Sequence, residues 1–107
     1  MIEVEKIRKE VINALEDIKA FDIVFFDVKK ITSIADFMII ASASSSRQAR
    51  ALADNIESKM KQLKIDILGV EGKTEGDWVL VDLGDIIVHI MTPTTRAYYN
   101  LEELWST

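Results

Sequence analysis

The sequence predicts a single α/β domain over residues 1–107, with a mixed five-stranded sheet packed with helices. Apolar residues recur at helical spacing in two segments, and five shorter apolar runs have the length and composition of strands. The predicted strands fall into two blocks separated by a helix, a pattern typical of one mixed sheet. A length of 107 residues suits one core, and 49% of the residues are hydrophobic, enough to fill it.

The N-terminal half reads as helix, strand and strand in chain order. Apolar residues at steps of three and four predict an amphipathic helix over residues 3–18. The continuous apolar runs Ile23–Phe26 and Phe37–Ala41 are each expected to form a strand buried on both faces. The polar connection between them carries Ile31 and Ile34, so we expect part of it to pack against the domain.

A serine-rich turn precedes the second predicted helix. Ser45, followed three residues later by Gln48, fits a capping box, which satisfies N–H groups at a helix start. The helix is predicted to run from there to about Leu63. A third strand is predicted over Ile65–Val70, followed by a mobile glycine-containing loop that ends at Asp77.

The last two predicted strands form a hairpin. Trp78–Leu83 and Ile86–Met91 are joined by Gly84-Asp85, which fits a type II′ turn. Pro93 ends the second strand because it has no N–H to donate to a neighbouring strand. Tyr98–Trp105 is predicted to be a short helix.

Alternation about the turn divides the hairpin side chains between two faces. One face is wholly apolar and is expected to lie in the core: Val79, Val81, Leu83, Ile86, Val88 and Ile90. The other face mixes chemical types: Trp78, Leu80, Asp82, Ile87, His89 and Met91. This second face is too apolar for a solvated surface and too polar for a dry core. It is either a sheet face half covered by a helix, with Asp82 and His89 hydrogen-bonded, or a recognition surface.

Composition limits the classes of function. The chain has no cysteine, which excludes disulfides, thiolate metal sites and cysteine nucleophiles. Its net charge of −5, with basic residues scattered among acids, disfavours direct nucleic-acid binding and favours a basic protein partner. No segment approaches the roughly 20 apolar residues of a membrane span, and no secretory signal is recognisable. We therefore expect a cytoplasmic protein without a membrane partner.

No motif indicates catalysis. A Gly-x-Ser-x-Gly elbow and a glycine-rich phosphate loop are both missing from the sequence. Asp82 and Asp85 lack the Asp-x-Asp spacing of a two-metal site, and His89 has no sequence neighbours that would complete a metal site. Arg96, after Pro93, is expected to cap or pair locally. We therefore expect no catalytic residue, no metal and no cofactor.

A set of short motifs runs in order through nearly the whole chain. They are Asp22-Ile23-Val24, Ser33-Ile34-Ala35-Asp36-Phe37, Ser45-Ser46-Arg47-Gln48, Val70-Glu71-Gly72, the segment Trp78–Asp85, Val88-His89-Ile90, Arg96, Tyr99 and Leu101-Glu102-Glu103-Leu104-Trp105. This set resembles the ribosomal silencing factor family, whose members are also called Iojap-like proteins. Ser42-Ala43-Ser44 departs from the glycine-containing segment common at this place in the family.

The resemblance implies a nucleotidyltransferase-like fold that lacks the catalytic acids. It also implies binding to the large ribosomal subunit at ribosomal protein L-fourteen, which sterically blocks joining of the small subunit and lowers translation when nutrients are scarce. Carried onto this sequence, the family's contact surface comprises Trp78, Asp82, His89 and Tyr99, with Arg96 close by. We add Met91 to the expected contact residues because it shares the mixed hairpin face.

We therefore expect a non-enzymatic protein that binds the large ribosomal subunit. Two alternatives come from other classes. An enzyme of the nucleotidyltransferase type would need a metal-binding acid pair and a site that responds to nucleotides. A dimerisation module would use the apolar surface for self-association, and the resemblance implies that the free protein is a homodimer.

Overall fold

The strands form one mixed sheet in the order β1-β2-β5-β4-β3, in which β2 and β5 are parallel and the other neighbours are antiparallel. The structure, a computed structural model, describes residues 3–105. Its elements are α1 (Val4–Asp17), β1 (Phe21–Asp27), β2 (Phe37–Ser42), α2 (Ser46–Gln62), β3 (Gly69–Glu71), β4 (Trp78–Asp82), β5 (Ile86–Met91), α3 (Pro93–Tyr99) and α4 (Leu101–Trp105). The predicted α/β class and mixed five-stranded sheet are confirmed. Within residues 3–105, no helix is long and apolar enough to cross a membrane.

The main core lies between α1, α2 and one face of the sheet. The hairpin face predicted to be core is buried there: Val79, Val81, Leu83, Ile86, Val88 and Ile90. From the helices, Leu15 of α1 and Leu52 and Ile56 of α2 are fully buried against it. Removing these apolar side chains from water stabilises the fold by roughly 1.5–3 kcal/mol for each large residue.

Gln48 connects the start of α2 to the end of α1. As predicted, the Ser45 hydroxyl accepts a hydrogen bond from the Gln48 N–H, at 3.0 Å. The Gln48 side chain does not return to the N–H of Ser45. Its Oε1 accepts from the N–H of Ser44, and its Nε2 donates to the carbonyl of Ile18 at 2.8 Å. The capping box is therefore only half formed, because the amide satisfies a carbonyl left free at the end of α1.

The strand β1 is at most half-buried, so the prediction that both its faces are buried is wrong. It pairs only with β2, and residues 23–26 are half-buried. The pairing is interrupted between Phe21 and Val24, where Asp22 has a left-handed backbone with φ 50°. By contrast, β2 lies between β1 and β5 and is buried from Met38 to its end, as predicted.

The connection between β1 and β2 does pack against the domain, but not through the residues predicted. Ile31 and Ile34 are exposed, whereas Val28 and Ala35 are buried in a small cluster on the second face of the sheet. The N–H of Val28 donates to the carbonyl of Asp36 at 2.9 Å, which draws the two ends of the connection together. Val28 and Ala35, which lie beside this hydrogen bond, are therefore buried. Ile31 and Ile34 lie on the outer part of the connection.

The strand β3 begins at Gly69, four residues later than predicted. At the end of α2, Lys64 takes a left-handed conformation with φ 59°, and the Ile65 N–H donates to the Met60 carbonyl. The chain therefore leaves the helix in a turn. Ile65 and Ile67 then pack against the main core without pairing to a strand. These two isoleucines are apolar because they pack against the main core, and they are not part of the sheet.

The register of the hairpin is confirmed. Trp78 lies opposite Met91, and Leu80 lies opposite His89. Gly84 has φ 91°, a conformation required at the first position of a type II′ turn and easily reached only by glycine.

The C-terminal part contains two short helices and not the single helix predicted over residues 98–105. Pro93 ends β5 as expected, but it is also the first residue of α3, where its fixed φ favours helix and its missing N–H costs nothing. Asn100 ends α3 in a left-handed conformation with φ 47°, and α4 follows at once.

Candidate partner-binding surface

The mixed face of the hairpin divides into a buried half and a half-exposed half. Ile87, His89 and Met91 belong to β5, which has strands on both sides, and all three are buried. Trp78, Leu80 and Asp82 belong to β4, and all three are only half-buried. Trp105 of α4 packs against the cluster on this face, and Tyr99 of α3 contacts Trp78. The covered-face interpretation therefore holds for β5, and an accessible surface remains on β4.

Met91 is fully buried, with 0% of its surface exposed. The prediction that it contacts a partner is wrong for this surface, because alternation along a strand identifies the face but not what covers it. His89 is 6% exposed and offers almost no contact area of its own. It does, however, hydrogen-bond to the half-exposed Trp78.

Trp78 is held between two aromatic neighbours. Its indole Nε1 donates a hydrogen bond to Nδ1 of His89 at 3.1 Å, and its ring centroid lies 4.8 Å from that of Tyr99. Tyr99 is 52% exposed. An aromatic pair fixed in this way loses little conformational freedom on binding, which favours affinity.

His89 is neutral at ordinary pH. Burial lowers the pKa of its imidazole from 6.5 to about 4, because a buried site disfavours the charged form. An indole N–H can only donate, so Nδ1 accepts and the neutral ring carries its proton on Nε2. A proton added to Nδ1 would point at the indole N–H and break the hydrogen bond that positions Trp78.

We expect the folded state to lose stability as the pH falls from about 6.5 to 4. Over that range the unfolded histidine binds a proton and the folded one does not, so the free energy of unfolding decreases by up to about 3 kcal/mol and levels off below the folded pKa. Chemical denaturation at several pH values measures this loss. His89→Asn keeps an acceptor near the Nδ1 position without titrating and is the control. Equal acid sensitivity in both proteins would contradict the assignment.

Arg96 pairs with Glu102, six positions away, as its position after Pro93 predicts, and also with two distant residues. Its side chain is 11% exposed, its Nε donates to Glu102 at 2.7 Å, and its Nη1 donates to the carbonyl of Asp22 at 2.7 Å and to the hydroxyl of Ser42 at 2.8 Å. These contacts hold Arg96 within the domain, and its contact with a partner stays a prediction. The guanidinium fixes α3, and with it Tyr99, against β1 and β2.

Asp82 supports the hairpin turn through a hydrogen bond, and its side chain is also partly exposed. Its Oδ1 accepts a hydrogen bond from the N–H of Gly84 at 2.9 Å, which supports the hairpin turn. The side chain is still half-exposed on the β4 half of the surface. Within residues 3–105, no group of three or more histidine, cysteine, aspartate or glutamate side chains is arranged to hold a metal ion.

Exposed apolar residues beside Tyr99 were not predicted from the sequence. A groove of about 570 Å³ is lined by Ile31, Tyr99, Asn100, Glu103 and Leu104, and Ile31 and Leu104 are 40% and 57% exposed. A smaller depression of about 190 Å³ lies on the other side, next to Trp78. No local signal marks Ile31 and Leu104 as neighbours, because they are more than seventy positions apart in the sequence. Together these residues extend the accessible surface around the aromatic pair.

The sequence matches the family described as "Ribosomal silencing factor during starvation" over residues 2–107. A Chromobacterium violaceum protein named "Ribosomal silencing factor RsfS" is 48% identical over 104 residues, which are 97% of this chain and 85% of that protein. A mouse protein named "Mitochondrial assembly of ribosomal large subunit protein 1" is 33% identical over 98 residues, which are 89% of this chain and 43% of that protein.

Solved structures of two bacterial proteins share the fold. A crystal structure from Chromobacterium violaceum superposes with a TM-score of 0.95 at 48% identity and covers 98% of this chain and 88% of that one. A crystal structure from Bacillus halodurans gives a TM-score of 0.85 at 37% identity and covers 94% of each chain. With a family match over nearly its whole length, this chain belongs to the ribosomal silencing factor family.

Proposed function

We propose that the chain silences ribosomes. It binds the large ribosomal subunit at ribosomal protein L-fourteen, blocks joining of the small subunit and lowers translation in the cytoplasm when nutrients are limited. Family membership supports this role, and the name of the mouse relative also refers to the large subunit. The observation that carries the proposal is the accessible aromatic pair of Trp78 and Tyr99, held in place by His89 and Arg96.

The physical character of the surface fits a basic protein partner. Aromatic side chains on a rigid support are typical of the centre of a protein interface. Asp82 lies on the same face, and the chain carries a net charge of −5. Opposite charge on a ribosomal protein would accelerate the encounter and favour this face over others.

The dimensions of the domain support a steric mechanism. Its Cα extents are 37 × 31 × 21 Å. A folded body of that thickness, bound on the face of the large subunit that meets the small subunit, would hold the two apart. The role requires only occupancy, so we propose that the protein is not an enzyme.

Sedimentation with isolated subunits tests the proposal. We expect the purified protein to sediment with large subunits and not with small subunits. When both subunits are present, the added protein should reduce the amount of joined particles in proportion to its occupancy. Equal binding to both subunits, or binding without any loss of joined particles, would overturn the proposed mechanism.

We expect Asp82→Asn to slow association with large subunits without loss of stability. The asparagine keeps Oδ1, which accepts from Gly84, so the turn is retained and only the charge is removed. Association driven by opposite charges slows when one charge is lost, and its dependence on salt becomes weaker. Stopped-flow binding at several salt concentrations measures both. Unchanged association rates at low salt would place Asp82 outside the contact.

We also infer that the free chain forms a homodimer through the same surface. Tyr98 and Leu104 are 80% and 57% exposed next to the aromatic pair, and pairing two copies would remove such groups from water. Sedimentation velocity over a range of concentrations measures this association. A monomer at all concentrations would contradict it.

A further inference from the structure

The strand β4 extends past the end of its neighbour β3. Glu71 of β3 pairs with Leu80, so Trp78 and Val79 have β5 on one side and the connection of residues 72–77 on the other. Gly72 packs directly against the backbone of Trp78: a Cβ built on it would lie 2.0 Å from the Trp78 carbonyl oxygen. Trp78 and Val79 therefore depend on this connection, and not on β3, for support on that side of β4.

Lys73 attaches the connection to α2. Its Nζ lies 2.5 Å from Oδ1 of Asp54 and 2.5 Å from Oε2 of Glu57, two carboxylates three residues apart on one side of the helix. Hydrogen bonds to Asp54 and then to Glu57 raise the pKa of Lys73, because both carboxylates favour its charged form. Two more contacts follow along the connection, since Arg50 approaches the Lys73 carbonyl and Gly76 packs against Arg50. The segment predicted to be a mobile loop is thus held at several points.

The arrangement differs from an ordinary surface ion pair. A single exposed pair contributes little, because it must order two long side chains for one contact that water and salt screen. Here the Lys73 ammonium pairs with both Asp54 and Glu57, which α2 already holds side by side. Without Lys73, Asp54 and Glu57 would be left as neighbouring like charges, which repel each other. The pairing of Lys73 with both carboxylates therefore favours the position in which the connection lies against α2.

We propose that Lys73 is a positioning residue for partner binding. By fixing the connection on α2, it keeps Gly72 against Trp78 and holds the indole where a partner meets it. This inference rests on the proposed function, in which Trp78 contacts the large subunit. Lys73 itself lies beside α2, next to the opposite face of the sheet, and need not touch the partner.

Binding measurements test the proposal through a matched pair of variants. Lys73→Gln should weaken binding to large subunits about fivefold, and Lys73→Arg, which keeps the charge, should bind within about twofold of the parent. In a Trp78→Ala background, Lys73→Gln should have no further effect, because the residue acts through the indole. Parent-like binding by Lys73→Gln, or the same loss with and without Trp78, would overturn the proposal.

An NMR measurement without ribosomes tests the positioning role of Lys73 separately from the proposed function. In a nitrogen-15 NMR spectrum, Lys73→Gln should shift the indole N–H of Trp78 and leave that of Trp105 in place, and Lys73→Arg should restore the parent position. The double variant Asp54→Asn/Glu57→Gln should reproduce the shift from the helix side. An unmoved Trp78 signal in these variants refutes the positioning role. A moved signal in a protein that never binds large subunits refutes the proposed function and leaves the positioning of Trp78 established.

Discussion

Trp78→Ala is expected to weaken binding to the large subunit by about 2 kcal/mol, or roughly thirtyfold in Kd. The indole is half-exposed, held by His89 and packed on Tyr99, so it presents a large rigid area that a partner can cover. Truncation removes that area and leaves the imidazole Nδ1 without its donor. Tyr99→Ala should cause a loss of similar size. Pull-down with large subunits over a concentration series measures both.

Two further variants separate contact from folding. Trp78→Phe retains an aromatic ring but not the N–H, so its binding should fall between those of the parent and the alanine variant. Val81→Ala is the folding control: Val81 is fully buried, so the change should lower the free energy of unfolding by about 2 kcal/mol and leave the contact surface as it is. If the Trp78 and Tyr99 variants melted early and bound normally once folded, the interface would lie elsewhere.

Arg96→Ala is expected to lower the free energy of unfolding by about 3 kcal/mol. The change removes a mostly buried guanidinium and leaves the Ser42 hydroxyl, the Asp22 carbonyl and the Glu102 carboxylate without their donor. For a domain of this size the loss corresponds to a Tm lower by roughly 15 °C. Thermal melts at neutral pH measure it.

Glu102→Gln is a milder change to the same ion pair than Arg96→Ala. It keeps an oxygen that can accept from Arg96 and removes only the charge, so we expect a loss of about 1 kcal/mol. Hydrogen bonding to Arg96 holds the pKa of Glu102 below its ordinary value, so this stabilisation is present above that value and is lost as the pH falls through the folded pKa. Equal melting of Arg96→Ala and the parent would show that the guanidinium does not secure α3.

Local features of the sequence were sufficient to predict the hairpin. A two-residue connection that begins with Gly84 allows only a few turn types, and strict alternation on either side leaves one register that buries a continuous apolar face. The helix start at Ser45 follows from equally local chemistry. Such features could be predicted because each depends on residues only a few positions apart.

The composition of the site depended on contacts between distant residues. Met91 belongs to the predicted face but is fully buried on β5, which has a strand on each side. The main partners of Arg96 include Asp22 and Ser42, which lie 74 and 54 positions away. No periodicity or turn signal encodes such pairs. Alternation could assign Trp78 and His89 to one face, but only the structure shows that one is accessible and the other supports it.

The parallel pairing of β2 with β5 sets the order in which the chain can fold during its own synthesis. β2 has β1 on one side as soon as residues 21–42 have been made, but its other edge waits for residues 86–91. At a typical elongation rate, the roughly forty intervening residues take about 2 to 9 s. For that time, an apolar strand that includes Ile39 and Ile40 has an unpaired edge. Completion of the sheet therefore waits for residues 86–91, and α3, with Tyr99, is made only after them.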